Sequence, residues 1–132
     1  MAGFEAGFAR LRDALDREDL DAGARYKAEL VFEEMVANIV RHARPDGPAA
    51  QVRVSVARQD GALVLTFEDD GVPFDPRAQP EPVPATSLEA ARIGGLGLMM
   101  VRRAARSMDY VRTPEQRNRT SVTLATPGAP AT

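Results

Sequence analysis

Val52, Val54 and Val56 alternate with Arg53 and Ser55, the period of two that marks a strand with one buried face. Gln59-Asp60-Gly61 follows as a hairpin turn, and Leu63-Val64-Leu65-Thr66-Phe67 reads as the returning strand. Immediately before this hairpin, Pro45-Asp46-Gly47-Pro48 breaks helices and suits a turn. It closes a helical pattern that starts after Asp21 and Gly23 and runs to about Ala43. The chain therefore carries a sheet, and helical patterns flank it in sequence.

Phe4, Phe8, Leu11 and Leu15 lie at i, i+4, i+7 and i+11, one narrow face of a first helix. Between Asp69 and Ile93, Pro73, Pro76, Pro80, Pro82 and Pro84 preclude a central strand and most helices, with a short helix open to Ser87–Ala91. That stretch opens on Asp69-Asp70-Gly71 and closes on Gly94-Gly95-Leu96-Gly97, a framing that favours a lid mobile over Arg77–Ile93. Leu98–Met108 has a helical pattern, with Arg102, Arg103 and Arg106 expected on a solvated face. Tyr110-Val111-Arg112 and Ser121-Val122-Thr123-Leu124 read as a closing strand pair. The expectation is one domain over residues 1–126, followed by a disordered tail from Pro127 to Thr132.

Composition excludes several classes of function. The 132 residues give room for a single modest core. With 17 basic and 19 acidic side chains the net charge is −2, so no basic excess is available for nucleic-acid phosphates. There is no cysteine, which removes disulfides and thiol chemistry, and one histidine, His42, cannot build a multi-histidine metal site. No apolar run approaches the ~20 residues that span a bilayer, and Met1–Phe8 is no signal peptide. A small acidic cytoplasmic domain, bound neither to nucleic acid nor to membrane, is the expectation.

Three places carry chemistry. On the second helix, Val31, Phe32, Met35, Val36, Ile39, Val40 and Ala43 fill the buried arc, roughly 100° to 280° on a helical wheel set to zero at Leu30. Glu34, Asn38 and His42 form an i, i+4, i+8 row along the border of that arc, while Glu33 faces elsewhere. Such a row is either a solvated boundary or a site in which a carboxylate activates a nucleophile and a carboxamide holds a hard cation. Asp69, at a strand end, is either part of an Asp-Gly turn or an acceptor for the exocyclic amine of adenine, with Gly71 leaving room for a flat base. Gly94-Gly95-Leu96-Gly97 is either a hinge and helix cap or a phosphate cradle before a helix. The Walker Lys-Ser/Thr pair is absent, since Leu98 and Met99 follow, and no strand precedes the glycines as a dinucleotide fold requires. With one histidine, on a helix, no Ser/His/Asp arrangement is available.

In this order the pieces resemble the nucleotide site of the GHKL ATPase superfamily. Glu34-Met35-Val36-Ala37-Asn38 with His42 resembles its N box, Asp69–Pro76 the first glycine box, and Gly94–Leu98 the second. Asn118-Arg119-Thr120-Ser121-Val122 resembles the segment that usually carries Gly-Thr before the last strand, with Arg119 in the place of the glycine. Within the superfamily the chain is most similar to the small anti-sigma-factor serine kinases. The resemblance implies an α/β two-layer sandwich: a mixed, mostly antiparallel sheet with helices on one face and ATP held between helix and sheet.

It also implies residue roles. Glu34 would be the catalytic base toward a substrate serine, and Asn38 the Mg²⁺ ligand. Asp69 with Gly71 would hold adenine, Gly95, Leu96, Gly97 and Leu98 would border the phosphates, and Thr120 would sit near the adenine end. The implied partners are ATP or ADP, a sigma factor and a small antagonist protein. An ATP-gated interaction module without kinase activity is the alternative. The family begins with a strand before its first helix, whereas Phe4 already starts a helical face here. That difference leaves a sheet edge to be exposed or covered by another chain, a homodimer included.

Overall fold

The computed structural model describes residues 2–18, 20–42, 51–78 and 96–125. Its elements are helix α1 (Ala2–Asp16), helix α2 (Ala22–His42), strands β1 (Val52–Gln59) and β2 (Ala62–Asp69), a 3-10 turn at Pro76–Ala78, helix α3 (Leu96–Ala104), and strands β3 (Ser107–Arg112) and β4 (Asn118–Leu124). The proposed lid over Arg77–Ile93 lies outside the described residues beyond Ala78, as does the tail from Pro127. No described helix is long and apolar enough to cross a membrane.

Local chemistry sets the boundaries. Asp21 caps α2, its Oδ1 accepting from the Ala24 amide at 2.7 Å and satisfying one of the free N–H groups of the first turn. Asp60 and Gly61 both take positive φ, 51° and 80°, so Gln59 and Ala62 close a tight two-residue hairpin. α3 ends at Ala104 and does not run on to Met108 as its pattern predicts. The Arg106 amide bonds to the Thr123 carbonyl at 2.8 Å, which draws the chain into the sheet, and Met108 belongs to β3.

The sheet order is β1-β2-β4-β3, and each neighbouring pair is antiparallel. The expectation of a mixed, mostly antiparallel sheet packed against helices agrees with this arrangement. β2 and β3 run the same way, joined by a connection that includes α3, but β4 inserts between them, and among the described residues no parallel pair is hydrogen-bonded. Leu63, Leu65 and Phe67 of β2 and Val122 and Leu124 of β4 turn one face toward Val31, Phe32 and Met35 of α2, all buried in one core. Burying each such side chain contributes about 1.5–3 kcal/mol. Val40, at the far edge of the arc expected to be buried, is instead 47% exposed.

The inward row changes character at one end of the sheet. Beyond Phe67 the next inward residue of β2 is Asp69, and before Val122 the inward residues of β4 are Thr120 and Asn118. All three are buried polar residues, at 4%, 4% and 3% exposure. On α2, beyond Met35, stands Asn38, also buried. Polar side chains in core positions are costly unless something repays them, and these four are gathered at one end of the α2–sheet interface.

Candidate functional site

These four residues line one cleft, open to solvent, together with Met35, Ile39, Phe74 and Pro76. α2 supplies one wall, the ends of β2 and β4 the floor, and the loop after β2 the rim. Met35 and Ile39 give that wall an apolar surface, and Phe74 adds a ring at the rim.

Asp69 is held by its neighbours. Its Oδ1 accepts from the Gly71 amide at 2.9 Å and from Asn118 Nδ2 at 3.0 Å. Gly71 is buried, and its carbonyl accepts from Arg112 Nη1 at 2.8 Å. Asn118 is the hub. Its Oδ1 takes donors from the Phe74 amide, the Tyr110 hydroxyl and Arg112 Nη1, and its Nδ2 gives a second hydrogen bond to the Val72 carbonyl at 2.8 Å. Asp69 and Asn118 are direct partners in the β2–β4 register, which brings the two side chains together.

Asn38 contrasts with them. Its Nδ2 is buried and has no hydrogen-bond partner among the described residues. A buried amide group left unpaired costs about 1–3 kcal/mol, so a ligand that pairs with it gains that much back. Turning the carboxamide over about its last torsion exchanges the two ends, so it can offer oxygen to a cation or nitrogen to an anionic oxygen. Mg²⁺ characteristically takes one or two protein oxygens beside water and phosphate, and one carboxamide suits that habit. No group of three or more His, Asp or Glu among the described residues could hold a metal by itself. A single carboxamide oxygen fits a cation whose remaining ligands are phosphate and water.

Glu34 lies one turn before Asn38 and is half-buried, whereas Glu33 is exposed, as the helical wheel requires. The Glu34 carboxylate occupies the space above Gly97: a Cβ built there would stand 1.9 Å from Oε2. The missing side chain of Gly97 thus lets α2 and the start of α3 meet, with a carboxylate at the end of α3 where free amides gather. Leu98 is 6% exposed and belongs to the core, so its side chain does not line the cleft. The Leu96 and His42 side chains, and all of Gly94 and Gly95, lie outside the described residues.

Of the residues singled out in the sequence, the fold brings Asn38, Asp69 and Thr120 into the cleft and puts Gly71 behind Asp69. Asn118, Tyr110 and Arg112 were not expected there. Counting back by two from the inward Val122 reaches Thr120 and then Asn118, so strand alternation carried a signal for the asparagine. Arg102, expected in solvent, is half-buried and donates through Nη2 to the Pro76 carbonyl, fastening α3 to the rim. Beside it, the Arg77 guanidinium and amide hydrogen-bond Asp75 and hold its carboxyl below the usual carboxylate range.

Residues 6–125 match the family described as histidine kinase-like ATPase domain. Over 96 residues the chain is 30% identical to serine/threonine-protein kinase BtrW of Bordetella bronchiseptica, covering 73% of this chain and 68% of that one. Solved structures with a similar arrangement include the Acinetobacter baumannii histidine kinase AdeS, at 17% identity, TM-score 0.48 and 79% of this chain. The histidine kinase domain of the Erythrobacter litoralis EL346 blue-light activated histidine kinase matches at 16%, 0.48 and 79%. The chain spans 48% and 45% of those two proteins respectively.

Proposed function

Because this chain belongs to the histidine kinase-like ATPase family, we propose that it is a regulatory serine kinase and anti-sigma factor that binds ATP with Mg²⁺ in the cleft between α2 and the sheet. The observation that carries this reading is the unpaired, buried Asn38 amide facing the same cleft as the fixed carboxylate of Asp69. The kinship with a serine/threonine-protein kinase supports the reaction type.

In this reading Asp69, an acceptor with no proton to give, takes the exocyclic amine of adenine and disfavours the carbonyl of guanine. Phe74, Met35 and Ile39 cover the base, and the Asn38 amide oxygen is the protein's ligand to Mg²⁺. Phosphate oxygens approach the amides that open α3, the segment to which the family resemblance assigns Gly95 and Gly97. Bound ATP with Mg²⁺ supplies an activated γ-phosphoryl group. Glu34 accepts the proton of the substrate serine hydroxyl as its oxygen bonds to that phosphorus, the bond to the β-phosphate oxygen breaks, and ADP leaves. A positioned base of this kind contributes about 10²–10⁴-fold. The protein partners are a sigma factor, held without phosphorylation, and a small antagonist that carries the serine.

One observation favours a second reading. The Glu34 carboxylate packs over Gly97 and is not among the residues that line the cleft. A base held there permanently would leave an ATP-gated interaction module that controls its partner by occlusion. The two readings separate in one experiment. Proteins captured from the native cell in ATP and in ADP are identified and then incubated with labelled ATP and the parent, Glu34→Gln or Glu33→Gln protein. A kinase transfers label in the parent and in Glu33→Gln but not in Glu34→Gln. Capture without transfer by any variant leaves the passive module.

A further inference from the structure

Asp69 alone does not fix what the cleft accepts, because a carboxylate free to rotate need not hold an oxygen toward the edge of a base. Its orientation is set by Asn118. Three donors converge on Asn118 Oδ1: the Phe74 amide at 3.2 Å, Arg112 Nη1 at 3.2 Å and the Tyr110 hydroxyl. The amide cannot turn over, since that would set its N–H₂ group against the Phe74 amide and Arg112 Nη1, which can only donate. Nδ2 is therefore obliged to point the other way, where it meets two acceptors, Asp69 Oδ1 and the Val72 carbonyl. With the Gly71 amide also on Oδ1, both hydrogen bonds to the Asp69 carboxylate among the described residues fall on one oxygen. The group is buried at 4% exposure, so water cannot easily replace either donor.

We infer that Asn118 is a specificity-determining positioning residue: locked by Tyr110, Arg112 and Phe74, it holds Asp69 as a fixed acceptor, and so confers the preference for a purine with an exocyclic amine over one with a carbonyl. This rests on the nucleotide reading of the cleft given above. Asn118 touches no base itself. It acts through Asp69 and through the rim, whose Val72 carbonyl and Phe74 amide it also binds.

The test uses the full chain, with unlabelled ATP and GTP competing against a fluorescent ATP analogue in Mg²⁺. Asn118→Asp is the sharpest variant, since it keeps the shape and the oxygen that Tyr110, Arg112 and Phe74 need but replaces the donor facing Asp69 with an acceptor. Asn118→Ser, which retains a small donor, decides the matter if Asn118→Asp does not fold. Ser121→Ala, on the opposite face of β4 beside Thr66, controls for general loosening of the strand. The ATP-over-GTP preference is expected to fall about tenfold or more in Asn118→Asp, to fall less in Asn118→Ser, and to stay at the parent value in Ser121→Ala. A folded Asn118 variant that binds both nucleotides more weakly but keeps the parent's ratio assigns Asn118 a purely structural role and overturns the inference. A parent that shows no preference for ATP overturns instead the reading of the cleft on which the inference stands.

Discussion

Asp69, the last residue of β2, and Asn118, the first of β4, are register partners, and the Asn118 amide nitrogen stands 3.0 Å from Asp69 Oδ1. A strand pairing that elsewhere buries Leu65 against Val122 here ends in a polar pair at the mouth of the cleft. Asp69→Asn keeps an oxygen for the Gly71 and Asn118 donors but presents an amide N–H₂ where an acceptor stood. ATP affinity is expected to fall about ten- to a hundredfold, the cost of a hydrogen bond to a charged group. GTP affinity should hold or rise. Competition titrations with the two nucleotides check both, and unchanged ATP affinity removes Asp69 from the site.

Asn38 should show opposite effects on stability and binding. Its unpaired amide lowers the stability of the nucleotide-free protein, so Asn38→Leu, similar in volume and free of polar atoms, is expected to stabilise it by about 1–3 kcal/mol. The same change should abolish the contribution of Mg²⁺ to ATP binding. Denaturant unfolding without nucleotide, paired with ATP titration in Mg²⁺ and in EDTA, measures the two. A destabilised Asn38→Leu protein with intact Mg²⁺ dependence contradicts this role.

Much of this arrangement was legible in the residues. Alternation placed β1 and β2, Asp60-Gly61 placed their turn, and the spacing of Glu34 and Asn38 put both on one edge of α2. The rest depended on long-range hydrogen bonds that no local pattern encodes. α3 stops at Ala104 because the Arg106 amide finds the Thr123 carbonyl, a partner 17 positions away in sequence. Asn118 looked like the end of a loop until the β2–β4 register set it opposite Asp69. Arg102 reads as solvated on any helical wheel, and only the fold of the rim brings the Pro76 carbonyl to it.

Gly97 tests the junction of α2 with α3. An alanine Cβ there would overlap Glu34 Oε2, but the carboxylate ends a flexible side chain and can swing aside. Replacing glycine inside a helix itself gains up to about 1 kcal/mol, so Gly97→Ala should change stability little in either direction. Nucleotide affinity should nevertheless drop, because the methyl group and the displaced carboxylate both crowd the approach to the first amides of α3. Thermal unfolding and ATP titration of the same preparation separate these effects. A large loss of stability would show that the Glu34–Gly97 packing is structural.

The rim carries a small acid sensitivity. The Arg77 side chain and amide hydrogen-bond Asp75, which depresses the carboxyl in the folded state below the usual carboxylate range. A depressed carboxyl contributes stability that is fully present above the unfolded value and is lost as pH falls through the folded one. The contribution is therefore constant at neutral pH and declines progressively as pH falls below about 4. Asp75→Asn should flatten the acid limb of a stability-against-pH curve in that window, with the remainder of the curve parallel to the parent's. Both side chains are partly exposed, so added salt should shrink the effect. An acid limb identical in the two proteins rules out this pair as its source.

The central claim is that the cleft between α2 and the ends of β2 and β4 takes an adenine nucleotide with its Mg²⁺. Calorimetric titration of ATP into the full chain, repeated in Mg²⁺ and in EDTA and with the Asn38→Leu protein, tests it most directly. Saturable one-to-one binding that Mg²⁺ tightens in the parent but not in Asn38→Leu is the predicted result. The absence of saturable ATP binding, or binding that ignores both Mg²⁺ and Asn38, would contradict it.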